Sequence, residues 1–208
     1  MVIPPGAKEK VLYGKGYIVD SLLGLDFRIS STSFYQVNPE QTERLYRIAM
    51  NMAQLRDDDD VIDAYSGTGT IALIAAASSG CRVIGIESNP DAVTDANENA
   101  RANGIENARF INADAADYMK SAEKNGLKCS VLFMDPPRSG SNEKFLAAAG
   151  RMNPERIVYI SCNPDTLARD LRYMSHFLGY RIIGVQPVDL FPASEHVETV
   201  VVLGRRSV

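Results

Sequence analysis

Apolar residues recur along this chain with two different periods, and the switches between them mark its elements. Two short β-like runs, 17–20 and 25–29, flank Leu23-Gly24 and predict a hairpin. Pro39 then opens a helix through about Gln54, with Asn38 as its cap and Leu45, Ile48, Ala49 and Met52 on one face. Beyond it, strand and helix patterns alternate. Strands are expected at 61–64, 82–86, 108–112, 130–134 and 156–160, and helices at 69–77, 90–103, 115–122, 142–149 and 164–177. Two closing apolar runs, 180–188 and 197–203, follow without a helix between them. Repeated β-α units predict a mostly parallel sheet with helices on both faces, and the last two runs an antiparallel C-terminal hairpin. The acidic run Asp57 to Asp60 reads as a solvated turn.

Composition narrows the chemistry. A chain of 208 residues fits one α/β domain (36–208) behind a short lead-in (1–35). No apolar run approaches the ~18 residues that span a membrane, and Met1 to Gly6 lacks the features of a signal peptide, so a cytoplasmic protein is expected. The three cysteines, Cys81, Cys129 and Cys162, are scattered, form no CxxC and leave no metal site in view. Two histidines give zinc hydrolysis or Ser-His chemistry little material. The formal net charge is −4, whereas proteins that grip RNA mainly through its phosphates are usually basic. Autonomous nucleic-acid binding is therefore disfavoured, and the abrupt start reads as the interior of a longer protein.

Three strand ends point to a nucleoside-like ligand. Asp63-Ala64-Tyr65-Ser66-Gly67-Thr68-Gly69 lies between a strand and a helix, where glycines allow a tight turn and a close ligand. About 20 residues on, Glu87 ends the second strand, where an acid accepts hydrogen bonds from ribose hydroxyls. Asp114 ends the third, within reach of an adenine edge. Ala72 stands where the dinucleotide fingerprint has its third glycine, and no GKS/T occurs, which disfavours nicotinamide and P-loop readings. The loop resembles the first motif of class I S-adenosylmethionine-dependent methyltransferases, which implies a Rossmann-like fold.

The next strand ends carry reactive groups. Strand four ends in Asp135-Pro136-Pro137-Arg138, similar to the (D/N)PP(Y/F) of amino-methyltransferases but with Arg138 in the aromatic position. Strand five ends in Ser161-Cys162-Asn163-Pro164, which places Cys162 beside a helix N-terminus, where a thiol is expected to have a lowered pKa. Cys81 and Cys129 read as small buried residues. Glu198 opens the last apolar strand, where a carboxylate is costly unless it has work as a base. Glu195 and His196 read as solvated loop residues. One reaction uses a cysteine, a base and a methyl donor together. A thiolate adds to C6 of uracil, C5 becomes nucleophilic and is methylated, and the base removes the C5 proton.

Ser33 to Pro39, Asp63 to Gly69, Asp135 to Gly140, Ser161-Cys162-Asn163-Pro164 with Thr166 to Asp170, and Phe191-Pro192 to Glu198 resemble RNA uracil-5-methyltransferases, over about Tyr13 to Leu203. The resemblance implies Cys162 as nucleophile and Glu198 as base. It implies that Gln36, Tyr65, Gly67, Gly69, Glu87, Asp114 and Asp135 hold S-adenosyl-L-methionine. The substrate it implies is a ribosomal or transfer RNA, with 23S rRNA favoured, docked by an N-terminal domain that precedes a chain such as this one. A chain of this length is expected to be a monomer without an iron–sulfur cluster, and to bind cofactor but methylate structured RNA poorly. The competing expectations are an amino-methyltransferase built on Asp135-Pro136-Pro137 and a non-catalytic cofactor-binding module.

Overall fold

A computed structural model describes residues 10–205, so the Met1 to Gly6 stretch read above for a leader lies outside the described residues. β1 (Tyr17–Leu22) and β2 (Leu25–Ser30) form an antiparallel hairpin in which Leu22 faces Leu25. Its two-residue turn puts both Leu23 (φ 54°) and Gly24 (φ 82°) in the left-handed region that tight hairpins use. Helix α1 (Pro39–Ala53) starts where expected: the Asn38 side chain accepts from the Gln41 N–H, proline fills the first turn, and Gln54 closes the helix at φ 49°.

Five β-α pairs follow. These are β3 (Asp60–Ala64) and α2 (Thr70–Ser78), β4 (Arg82–Glu87) and α3 (Pro90–Ala102), β5 (Ala108–Asn112) and α4 (Ala115–Lys124), β6 (Val131–Met134) and α5 (Glu143–Met152), and β7 (Arg156–Ser161) and α6 (Pro164–Phe177). The chain then runs through β8 (Tyr180–Val188) and β9 (Glu198–Arg205). The strands make one seven-stranded sheet of order β5-β4-β3-β6-β7-β9-β8. β3 to β7 are parallel, and β9 lies antiparallel between β7 and β8. Alternate strand residues face opposite ways, as the pleat requires. Val61, Val131, Phe133 and Val158 pack with α1 and α2, whereas Ile62, Leu132, Met134 and Tyr159 pack with α4, α5 and α6. The result is an α/β/α sandwich whose order reverses between β3 and β6, the place where such sheets open a crevice for ligands.

The lead-in hairpin is stitched to the sandwich by a device that patterning alone does not reveal. Helix α3 turns Asp95 and Asn99, and its C-terminal cap Asn103, toward β2. The Ser30 N–H donates to Asp95 at 2.8 Å, the Arg28 N–H to Asn99 at 2.7 Å and the Asp26 N–H to Asn103 at 2.9 Å. Asn99 and Asn103 return bonds to the carbonyls of Arg28 and Asp26 at 3.1 and 2.7 Å. Four helical residues rise about 6 Å and two strand residues about 6.8 Å, so the helix side chains keep step with the strand edge and act as its missing neighbour. Asn99 also donates to the Thr68 carbonyl at 3.1 Å, which joins the hairpin to the glycine loop.

The acidic run departs from expectation. Asp57 and Asp58 are exposed, but Asp59 is 1% exposed. It accepts from the Arg56 N–H at 2.8 Å and the Ser130 hydroxyl at 2.7 Å, and pairs with the Arg56 and Arg156 guanidinium groups. Burial alone would raise its carboxyl, but these bonds outweigh it and hold the group below the ordinary range.

Candidate active site

The carboxyl ends of β3, β4, β6 and β7 border one cavity of about 600 Å³. Its lining combines Gln36, Tyr65, Gly67, Glu87, Asp135, Cys162 and Glu198, residues spread over most of the chain. Each arrives by a local rule. Tyr65 (φ 67°) and Gly67 (φ 54°) turn the chain sharply after β3. A Cβ built on Gly67 would meet nothing within 4 Å, so the backbone there is open to a ligand. Gly69 (φ 87°) serves packing instead, since a Cβ there would sit 2.7 Å from the Phe110 ring. Gly69 stays outside the cavity's lining and forms the left-handed start of α2.

Glu87 ends β4 and organises that rim. It accepts from the Gly67 N–H at 3.0 Å, the Asn89 N–H at 2.7 Å and the Ser88 hydroxyl at 3.1 Å. Asp114 follows β5, where one carboxylate oxygen accepts from Ala116 at 2.9 Å and Asp117 at 3.0 Å as the cap of α4. It is not part of the cavity's lining. Asp63 is fully buried beneath the loop and accepts from the Ala72 N–H at 3.0 Å. Burial, reinforced by the neighbouring Asp135, pushes its carboxyl well above the ordinary value.

The reactive groups line the same cavity and feel one another's charge. Glu198 is 5% exposed, on the inner strand β9. Burial raises its carboxyl and the Arg138 charge opposes that rise. Burial and the Glu198 charge push Asp135 up to about 7. Cys162 is half-buried at the end of β7, one residue before the Asn163 cap of α6. The lowered thiol pKa expected from the helix N-terminus is not found. Burial, Glu198 and Asp135 raise the thiol above its ordinary value, and the Arg138 charge only partly offsets them. The Asn163 side chain caps the Asp165 N–H at 3.0 Å, which occupies one of the helix's free donors. Cys81 and Cys129 are buried, and burial drives Cys129 to about 12. Glu195 and His196 are exposed, as solvated loop residues should be.

Sequence reasoning passed over several lining residues. Tyr46 sits on the apolar stripe of α1 and looks like ordinary core, yet it borders the cavity with Thr70 and Ile71. Ser66 and Thr68 belong to the same lining, and their buried hydroxyls have no hydrogen-bond partner. Phe34 also lines the cavity, at 74% exposure, and its place inside the Ser33 to Pro39 motif was the sequence signal for it.

A model of the family described as tRNA (Uracil-5-)-methyltransferase matches residues 1–206. A Lactiplantibacillus plantarum protein named an uncharacterized RNA methyltransferase is 49% identical over 201 residues, which cover 96% of this chain and 44% of that protein. A Streptococcus pyogenes protein of the same description is 50% identical over 199 residues, covering 95% of this chain and 42% of the relative. The chain thus spans less than half the length of these relatives. Among solved structures, Pyrococcus abyssi tRNA (uracil-54, C5)-methyltransferase in complex with S-adenosyl-L-homocysteine superposes with a TM-score of 0.79 at 32% identity. That match covers 95% of this chain and 48% of the other.

Proposed function

Because this chain belongs to the tRNA (uracil-5-)-methyltransferase family, we propose that it is the catalytic domain of an S-adenosylmethionine-dependent enzyme that methylates C5 of a uridine in RNA. One observation carries the reading: Cys162, Glu198 and Asp135 border the same cavity as Gln36, Tyr65, Gly67 and Glu87. The unpartnered Ser66 and Thr68 hydroxyls and the open backbone at Gly67 suit a polar, nucleoside-bearing cofactor. Gln36, Tyr65, Gly67, Glu87 and Asp135 would hold it, with Gly69 shaping the loop and Asp114 at the adenine end. When bound, S-adenosylmethionine supplies an electrophilic methyl group.

The chain's own residues supply the rest. The Cys162 Sγ, as thiolate, forms a bond to C6 of the uracil ring, and the displaced electron pair enriches C5. After C5 has gained its methyl, Glu198 accepts the C5 proton, the pair re-forms the ring double bond, and the C6–S bond breaks to return the thiolate. The raised carboxyl of Glu198 makes it a stronger proton acceptor than a solvated carboxylate. Arg138 offsets the negative charge of two carboxylates around the thiol.

The RNA is ribosomal by our reading, with transfer RNA the alternative that the Pyrococcus abyssi relative raises. A protein of the family's full length, with the region preceding this chain, would dock it. The deciding experiment is mass spectrometry of the chain with S-adenosylmethionine and RNA carrying 5-fluorouridine, whose C5 fluorine cannot leave as a proton does. A covalent adduct lost in Cys162→Ala is expected. No adduct with this chain or with a longer one that restores the upstream region would favour the amino-methyltransferase reading.

A further inference from the structure

The segment after β6 is held by the start of α6 more firmly than a surface loop needs. The Arg138 carbonyl accepts from the Asn163 side chain at 3.0 Å and the Thr166 hydroxyl at 3.1 Å. Arg169 Nη2 donates to the Ser139 and Ser141 carbonyls, each at 3.0 Å. The Ser141 N–H donates to Asp170 at 2.8 Å. Asp170 is 1% exposed, accepts from the Tyr159 hydroxyl at 2.7 Å and pairs with Arg169 at 2.8 Å. A charge so buried persists only with such partners. The fit is close: Gly140 (φ +71°) lies where a Cβ would stand 2.6 Å from Arg169 Nη2 and 2.7 Å from Asp170 Oδ2. Both ends of this clamp touch the cavity, because Tyr65 lies 3.3 Å from the Ser141 hydroxyl and Arg138 lines the wall beside Cys162 and Glu198.

We propose that Arg169 and Asp170 are positioning residues, which hold the segment from Arg138 to Ser141 and through it the Arg138 guanidinium against Cys162. The inference rests on Cys162 being the reacting thiol. The charged groups that face it are Glu198 from β9 and Asp135 and Arg138 from the segment after β6; only Arg138 favours the thiolate. A displaced Arg138 leaves the thiol to the two acids and the cavity wall.

The test reads the thiol itself and needs neither RNA nor cofactor. Alkylation of Cys162 by iodoacetamide is followed against pH by peptide mass spectrometry in wild type, Arg138→Ala, Arg169→Ala, Arg169→Lys and the double alanine variant. Arg138→Ala should move the midpoint upward by about one pH unit, the usual scale for losing a nearby opposite charge. Arg169→Ala should move it the same way, and the double variant no further than Arg138→Ala. Arg169→Lys keeps the charge but has one nitrogen where arginine uses Nε on Asp170 and Nη2 on the two carbonyls, so it should shift the midpoint as alanine does. A wild-type profile in Arg169→Ala, full restoration by lysine, or shifts that simply add would overturn the proposal. The Arg169 side chain is 55% exposed but partners the buried Asp170, so folding of each Arg169 variant is checked by circular dichroism before alkylation. If it does not fold, Thr166→Val, which frees one bond to the Arg138 carbonyl, is read identically. Midpoints that shift as expected, when neither this chain nor one that restores the upstream region forms an adduct with 5-fluorouridine RNA, would reject the uracil reading and leave the clamp standing.

Discussion

Asp135 is the residue whose charge costs most in this cavity, since burial and Glu198 bring its carboxyl to about 7. The folded chain therefore holds this proton more tightly than the unfolded one does. The stabilisation is complete below the ordinary carboxylate value of about 3.9 and is lost as pH rises through about 7. Asp135→Asn should flatten this decline and leave the ligand-free chain more stable at pH 7, by up to about 4 kcal/mol at ~1.36 kcal/mol per unit. Urea unfolding between pH 4 and pH 8 measures it, and an unchanged slope would show that Asp135 is better solvated than its surroundings imply. Glu198 makes a different prediction. Without a base for the C5 proton, Glu198→Gln should still form the Cys162 adduct but release it slowly, lowering turnover about 10²- to 10⁴-fold. Persistence of a protein–RNA band with unsubstituted uridine on a denaturing gel is the readout, and near-normal turnover would assign the base elsewhere.

At the scale of elements, α3 does two jobs: it covers the sheet, and its polar face replaces a strand beside β2. Asn99 makes three of these contacts, to the Arg28 N–H and carbonyl and to the Thr68 carbonyl, at 1% exposure. Asn99→Ala leaves buried main-chain groups unpaired and should cost about 3 kcal/mol. For a chain of this size that lowers Tm by roughly 6–12 °C. Calorimetry gives the number, and a loss under about 1 kcal/mol would mean that water replaces the side chain. Because Asn99 also grips the glycine loop, the same variant should weaken S-adenosylmethionine binding in a titration. An Asp95, Asn99, Asn103 series at four-residue steps is visible in the sequence, but on an isolated helix it is the signature of a solvated face.

For the molecule as a whole, charge and length point the same way. The chain has net charge −4 and spans less than half the length of its relatives, whereas a grip on RNA phosphates calls for basic surface. We expect a longer chain that includes the upstream region to bind S-adenosylmethionine as this one does but RNA at least about tenfold more tightly, with a steeper salt dependence. Calorimetry for the cofactor and filter binding for RNA at several salt concentrations test this. Equal RNA affinities would show that the sandwich itself docks the substrate.

The alternation of β and α patterns, the capping residue Asn38, and the residues at each strand's carboxyl end were legible in the chain, because they obey local rules of periodicity and hydrogen bonding. Helix ends shifted by a residue or more, as at α2, which begins at Thr70 after the left-handed Gly69. Three matters needed the tertiary structure. Asp59 turned from a solvated acid into a buried anchor only because Ser130 and Arg156, far along the chain, converge on it. The Cys162 thiol is raised, not lowered, because the fold half-buries it and because β9, paired beside β7, brings Glu198 near it. Tyr46 became a cavity wall because α1 packs on the sheet over β7 and β9, far along the chain from it, and brings this residue to the cavity. Local propensity acts through neighbours a few residues away, whereas burial and charge act through space, and only the fold decides which distant residues share a low-dielectric pocket.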